Sequence, residues 1–293
     1  MSNLIVQIDG GIGRVICSTP AIETLAKNNP DRKIIIITTH PYVFYNNPFV
    51  WKVYGLDHDY LWEDVIQTGE FINPEPYHNH LYYTQKHHLI QSFNYLINKD
   101  DSMVSPSLYL TDQELAWGTE FIDTRKKEKG KPIGILQCFG MGVTDNFLDD
   151  THRSLSPECI ERLISLFDQC IFINASHINL DYANVWQQQF TTRQLFSLVA
   201  ACDFVLTIDS FISHVGACFN KKGVLLLGGT YKENVGYSHY NTIQREGYPK
   251  SYFPNRFSGF INQNKDAMNF SADEIEEIHS ALSKLSDGGC DHV

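Results

Sequence analysis

Two short stretches gather residue types suited to phosphate and proton chemistry. The first, Asp9-Gly10-Gly11-Ile12-Gly13-Arg14, follows the apolar run Leu4-Ile5-Val6-Gln7-Ile8, and the second, Asp209-Ser210-Phe211-Ile212-Ser213-His214, follows Phe204-Val205-Leu206-Thr207-Ile208. A strand that breaks into a turn and then a helix offers unpaired N–H groups, with the positive end of a helix dipole behind them, to an anionic ligand. Ser210 and Ser213 add hydroxyl donors, and the small residues Gly216-Ala217-Cys218 let the helix lie close to its sheet. The first stretch departs from a dinucleotide loop, because Ile16 stands where a third Gly or Ala is needed. The next strand also ends in Thr38-Thr39-His40, without the acidic residue that would hold a ribose.

Around these stretches stand the side chains with a choice of role. Asp9 ends its strand and is either a base for a bound hydroxyl or an Asx cap of the Gly turn. Arg14 is a ligand for phosphate or another anion, or a bridge between domains, and Asp209 reads as a helix N-cap. Asp145, Asp149 and Asp150 lie in the loop before Arg153 and read as solvated. His78, His80, His87 and His88 in "YHNHLYYTQKHH" invite a metal reading, but no carboxylate or cysteine at ligand spacing supports it, so no metal is expected. The segment 231–257 interleaves Lys232, Arg245, Lys250 and Arg256 with aromatics, a pattern suited to stacking on bases and to phosphate contacts.

The elements that must position these groups follow a βαβ grammar. Strand 4–8 leads through the Gly turn to a helix over 19–28 and a continuous apolar strand over 33–39, the mark of a buried parallel sheet. "NPFVWKVYGL" reads as another strand entry. Residues 57–110 are irregular apart from a helix over 86–98. A helix over 111–126 runs into "KKEKGKP", which reads as an interdomain linker. The grammar then restarts: strand 133–137, helix 156–167 with Pro157 in its first turn, strand 170–174, helix 192–201, strand 204–208, helix 213–219 and strand 223–227. The expected fold is α/β, with two Rossmann-like doubly wound domains facing a cleft. They span residues 1–130 and 131–270, followed by a C-terminal helix and tail over 271–293, and ligands belong at the carboxyl ends of the strands.

With 293 residues and 43% hydrophobic content, the chain can fill two cores. The net charge of −11 is spread over both halves: residues 1–130 carry 11 basic and 16 acidic side chains, leaving 12 and 18 for the rest. Non-specific polyanion binding is therefore disfavoured. Seven cysteines form no C-x-x-C pair and read as free core thiols. No apolar stretch approaches eighteen residues and no basic region precedes the first apolar run, so neither a transmembrane segment nor a signal peptide is expected, and the chain reads as cytoplasmic.

"IDSFISHVGACFNKKGVLLLGGT" resembles the (V/I)-D-T-G-x-x-H-L-A-A-A segment and following G-P-T of glycosyltransferase family 9, the ADP-heptose:lipopolysaccharide heptosyltransferase-like enzymes. "GRVICSTPAIETLAKNNPDRKIIIITTHPYVFYNNPFV" is similar to the opening of that family, and "QCFGMGVTDNFLDDTHRSLSPECIERLISLF" to its middle segment. The resemblance leaves residues 55–130 uncovered, and it implies a fold of the GT-B type. It implies transfer of a sugar from a nucleotide diphosphate sugar, as co-substrate, to an acceptor hydroxyl, with inversion and without a cofactor or metal. It places Asp209, Ser210, Phe211, Ile212, Ser213, His214 and Thr230 at the donor pyrophosphate, with Lys232 and Asn234 in the loop closing over it. His214 then either supports the phosphate loop or is a hydrogen-bonded core histidine. Arg153 stands where the family has a phosphate-pairing lysine, Gly140 lies in the loop before it, and Asn174 and Ser176 border the nucleoside. Gly11, Ile12 and Gly13 fall on the acceptor side. There Arg14 replaces the aspartate that supplies the family's base, and arginine cannot take a proton at physiological pH. Phe211 replaces the motif glycine. The implied acceptor is a carbohydrate such as lipopolysaccharide core. A phage-type transferase acting on a hydroxymethylated base in DNA and an inactive nucleotide-binding module remain as other readings.

Overall fold

A computed structural model describes residues 2–140, 153–248 and 265–287. The chain divides into two α/β units, Met1–Thr111 and Asp112–Val293. In the first unit the elements run β1 (Asn3–Ile8), α1 (Ile12–Cys17), α2 (Thr19–Asn28), β2 (Ile34–Thr38), β3 (Lys52–Gly55), α3 (Leu61–Asp64), β4 (Gly69–Ile72), α4 (His80–Tyr83) and α5 (Leu89–Asn98). All four strands are parallel, in the order β3-β2-β1-β4. Every residue of β2 is buried, as expected of a parallel strand covered on both faces. Ile5, Ile35 and Ile37 pack on one face against Val65, with Leu61 and Ile66 beside it.

The second unit contains α6 (Asp112–Lys129), β5 (Ile133–Gln137), α7 (Pro157–Ser165), β6 (Ile171–Asn174), β7 (Val185–Trp186), α8 (Thr192–Ala201), β8 (Phe204–Ile208), α9 (Phe211–Cys218), β9 (Gly223–Leu227), α10 (Lys232–Val235), β10 (Tyr240–Gln244) and α11 (Ala272–Asp287). Its six parallel strands lie in the order β10-β9-β8-β5-β6-β7. On one face, Ile160 and Leu163 of α7 and Ile275 and Ile278 of α11 join Phe172, Leu206 and Leu226 in one apolar core. Each sheet reverses its winding once, between β1 and β4 in the first unit and between β5 and β8 in the second. Those reversals place loops of opposite direction side by side, which is where open α/β sheets hold ligands.

Two expectations are corrected here. The "KKEKGKP" stretch is no linker: α6 continues through Lys126 and Lys127 to Lys129, and the helix is stopped by Gly130 at φ 63°. Its lysines sit at the negative end of the helix dipole, which suits them there. The units instead part at Thr111, because α6 is clamped to α8. Arg193 Nε donates to Glu114 Oε1 at 2.7 Å and Nη2 to Oε2 at 2.5 Å, and Gly118 lets α6 meet the Ser197 backbone. The Gly turn after β1 is likewise shorter than expected, since α1 begins at Ile12 with Gly11 as its N-cap. The strands β4 and β10 carried no clear sequence signal, being short and only partly buried.

Candidate donor and acceptor sites

The tip of α9 lies at the carboxyl end of β8, beside the winding reversal of the six-stranded sheet. Its N-cap is Ser210, not Asp209, and the helix starts two residues earlier than expected. Ser210 Oγ accepts from the Ile212 amide at 3.3 Å and lies 3.0 Å from Thr207 Oγ1. Ser213 Oγ donates to the Ser210 carbonyl at 2.7 Å, so this hydroxyl is turned back onto the backbone and is not an outward donor. Ile212 and Ser213 are fully buried and their amides are spent inside the turn, Ile212 N on Ser210 Oγ and Ser213 N on the Ser210 carbonyl at 3.2 Å, so the tip presents its dipole rather than these groups to a ligand. Phe211 is only partly buried at the first helical position.

Freed from capping, Asp209 accepts from Arg153: Nη1 lies 3.4 Å from Oδ2 and donates to the Asp209 carbonyl at 3.1 Å. The Arg153 side chain keeps 23% exposure, whereas that of Asp209 keeps 9%. A fixed, partly exposed guanidinium next to a helix N-terminus is chemistry for a diphosphate. His214 is a core histidine: it is buried, and its Nδ1 is 2.7 Å from Tyr237 Oη. Tyr240 Oη donates to the Ser213 carbonyl at 2.9 Å, bracing the same turn. Neither tyrosine was anticipated, although their spacing of three in an aromatic loop was visible.

Burial pushes the His214 imidazole down to about 4, with Asp209 opposing the shift and Arg153 reinforcing it. The native state therefore binds its proton later than the unfolded chain on acidification. Stability from this group is complete above about pH 6.5 and is lost as pH falls toward 4. Between pH 7.5 and 5 the loss is about 2 kcal/mol. Urea titrations at the two pH values check this, with His214→Gln expected to lose about that much less than wild type.

The other donor-side residues are arranged as follows. Gly140 N donates to Ser154 Oγ at 2.8 Å, while Asp145, Asp149 and Asp150 lie outside the described residues. Asn174 faces inward rather than toward a nucleoside. It is 1% exposed, its Nδ2 donates to the Ile178 carbonyl and Gln187 Oε1, both at 2.7 Å, and its Oδ1 accepts from the Ser176 amide. Ser176 Oγ in turn accepts from the Ile178 amide, so the pair shapes the loop after β6. Thr230, just past β9, has a buried Oγ1 without a hydrogen-bond partner among the described residues. Lys232 is exposed at the start of α10 and Asn234 is buried within it. Arg245 is tied to Glu274 at 3.0 Å and stacks on Tyr248 at 4.4 Å, which removes it from the expected phosphate-contacting set. Lys250 and Arg256 lie outside the described residues.

In the first unit, Gly10 adopts φ 101°, a conformation that favours glycine, and Gly11, Ile12 and Gly13 lead into α1. Asp9 does not cap this turn. Its Oδ2 accepts from Gln7 Nε2 at 2.8 Å, and its Oδ1 is buried without a partner among the described residues. Arg14 is buried, with Nη2 3.1 Å from Glu75 Oε2 and 3.4 Å from the Pro74 carbonyl. Its guanidinium lies 5.2 Å from the Tyr77 ring centroid and 5.9 Å from that of Phe93. Arg14 thus pairs within its own unit. Sequence spacing gave no hint of Glu75, which is 61 positions away. Of the histidine run, His88 Nδ1 accepts from the Ile90 amide and caps α5. Among the described residues no three His, Cys, Asp or Glu side chains are grouped to hold a metal ion.

No family model matches the chain, and neither does any curated protein sequence. Solved structures do. A glycosyl transferase of family 9 from Veillonella parvula superposes with a TM-score of 0.67 at 15% identity, covering 97% of each chain. The fold is that of the family 9 glycosyltransferases. The ADP-heptose lipopolysaccharide heptosyltransferase II of Escherichia coli gives a TM-score of 0.63 at 12% identity over 97% of this chain and 98% of its own. The E. coli heptosyltransferase WaaC with ADP gives 0.56 at 12% identity over 89% and 99%. The GT-B likeness therefore extends through residues 55–130, where the sequence motifs are silent. No helix among the described residues is long and apolar enough to cross a membrane.

Proposed function

We propose that this chain is a glycosyltransferase that moves a sugar from a nucleotide diphosphate sugar to the hydroxyl of a carbohydrate acceptor, with inversion and without a metal. The observation that carries the reading is the Arg153 guanidinium, held by Asp209 beside the N-terminus of α9 at the winding reversal of a GT-B sheet. The structural neighbours, among them an enzyme holding ADP, support it. The second unit receives the donor. The acceptor oxygen attacks the anomeric carbon from the side opposite the departing diphosphate, and the configuration inverts. As the carbon–oxygen bond breaks, charge grows on the diphosphate, and Arg153 with the positive end of the α9 dipole stabilises it in the role a cation would otherwise play. Thr230 Oγ1, buried and without a hydrogen-bond partner among the described residues, supplies a further hydrogen bond at the end of β9. The first unit receives the acceptor near the Gly10 to Gly13 turn.

Calorimetric titration with ADP, UDP, GDP and their sugar conjugates tests this. One diphosphate is expected to bind, and the matching nucleotide sugar to release its diphosphate in the presence of simple glycosides. Absence of binding by every diphosphate overturns the donor site. Binding without release of diphosphate returns the chain to an inactive nucleotide-binding module.

A further inference from the structure

Transfer to a hydroxyl requires a group that accepts its proton, and Arg14, in the first turn of α1, cannot be that group. Two carboxylates lie at the carboxyl ends of the paired strands β1 and β4, on either side of the winding reversal of the first sheet: Asp9 and Glu75. They differ in what they can reach. Asp9 spends Oδ2 on Gln7, and its Oδ1 is buried. Glu75 keeps 31% of its side chain exposed, while Oε2 accepts from Arg14 Nη2 at 3.1 Å and Oε1 from the Tyr77 amide at 3.2 Å. Arg14 is itself immobilised, with 6% side-chain exposure, between the rings of Tyr77 and Phe93 and the Pro74 carbonyl.

We infer that Glu75 is the catalytic base of this chain, a carboxylate delivered from the end of β4 and oriented by Arg14. The inference rests on the transferase reading above. In the step, the acceptor O–H proton passes to a Glu75 carboxylate oxygen, and the acceptor oxygen forms a bond to the anomeric carbon. The bond from that carbon to the diphosphate oxygen breaks, and its electron pair leaves with the nucleoside diphosphate. Glu75 then returns its proton to water. Arg14 acts as a positioning residue: it holds the carboxylate at a set place, as a rigid first contact must for proton transfer.

The test uses the full chain, the nucleotide sugar found by titration, and two acceptors: water and a set of neutral methyl glycosides. Diphosphate release is the readout. Glu75→Gln is expected to lower kcat by about 100- to 10,000-fold. Its donor Kd should stay within about twofold of wild type, because the donor is read by the other unit, and a urea denaturation curve superposable on that of wild type reports that the first unit is still folded. Glu75→Asp, which keeps a carboxylate, should recover about tenfold or more over Glu75→Gln, and Asp9→Asn should cost less than about tenfold. A Glu75→Gln variant that binds donor and keeps kcat within about tenfold of wild type overturns the assignment, as does a larger loss in Asp9→Asn. If wild type binds donor yet releases no diphosphate to either acceptor, the transferase reading fails and Glu75 loses its role with it. If wild type binds no donor, the donor site itself fails.

Discussion

Replacing Arg153 by alanine is expected to lower kcat/KM for the nucleotide sugar by about 100- to 1,000-fold. The Arg153 side chain is 23% exposed, and its guanidinium is oriented by both the carboxylate and the carbonyl of Asp209. It adds full positive charge where α9 offers only the partial charge of its amides. A charge-assisted contact to a leaving diphosphate strengthens as the bond breaks, so the loss should appear in kcat as well as in binding. Arg153→Lys keeps the charge but not the fork, and an intermediate loss is expected. Titration with a nucleoside and with its diphosphate separates the effect: the diphosphate should lose affinity in Arg153→Ala and the nucleoside should not. Equal losses for both would show that Arg153 shapes the loop rather than contacting phosphate.

Gly228→Ala should be the most destabilising of the small substitutions, by about 3 kcal/mol. Gly228 follows β9 at the entry to Thr230, and a Cβ placed there falls onto the carbonyl oxygen of Ala267 and within 2.7 Å of Met268 Sδ. Backbone cannot step aside as a flexible side chain can, so either the end of β9 or the turn at Lys265–Met268 must move. Met268 also belongs to the core against α7 and α11, which passes the displacement into the centre of the unit. Gly130→Ala is the control. Gly130 sits at φ 63° with no atom near its absent Cβ, so only the backbone penalty of about 1 kcal/mol remains. Urea denaturation of both variants should rank them in this order, and a reversal would show that the β9 loop yields easily.

Local order was largely readable. Continuous apolar runs announced β1, β2, β5, β6, β8 and β9, because a parallel strand covered on both faces must be apolar at every position. Ser156 with Pro157 marked the start of α7, and the strand-to-helix step at 208–211 marked the start of α9. The reading slipped where a charged, Gly/Pro-punctuated stretch was taken for an interdomain linker. The lysines at the end of α6 are helical because Glu114 and Arg193 clamp that helix to α8, a contact 79 positions long.

Residue types and their order along the chain thus determined a twofold βαβ pattern, its buried strands and the two strand-to-helix turns after β1 and β8. Only the tertiary structure decided which side chains serve those turns: Arg153 with Asp209, His214 with Tyr237, and Arg14 with Glu75. The reason is physical. Periodicity reports burial over a few neighbouring residues, whereas these pairs exist because parallel pairing aligns the carboxyl ends of strands that are distant in sequence, Val6 with Ile72 and Gln137 with Thr207.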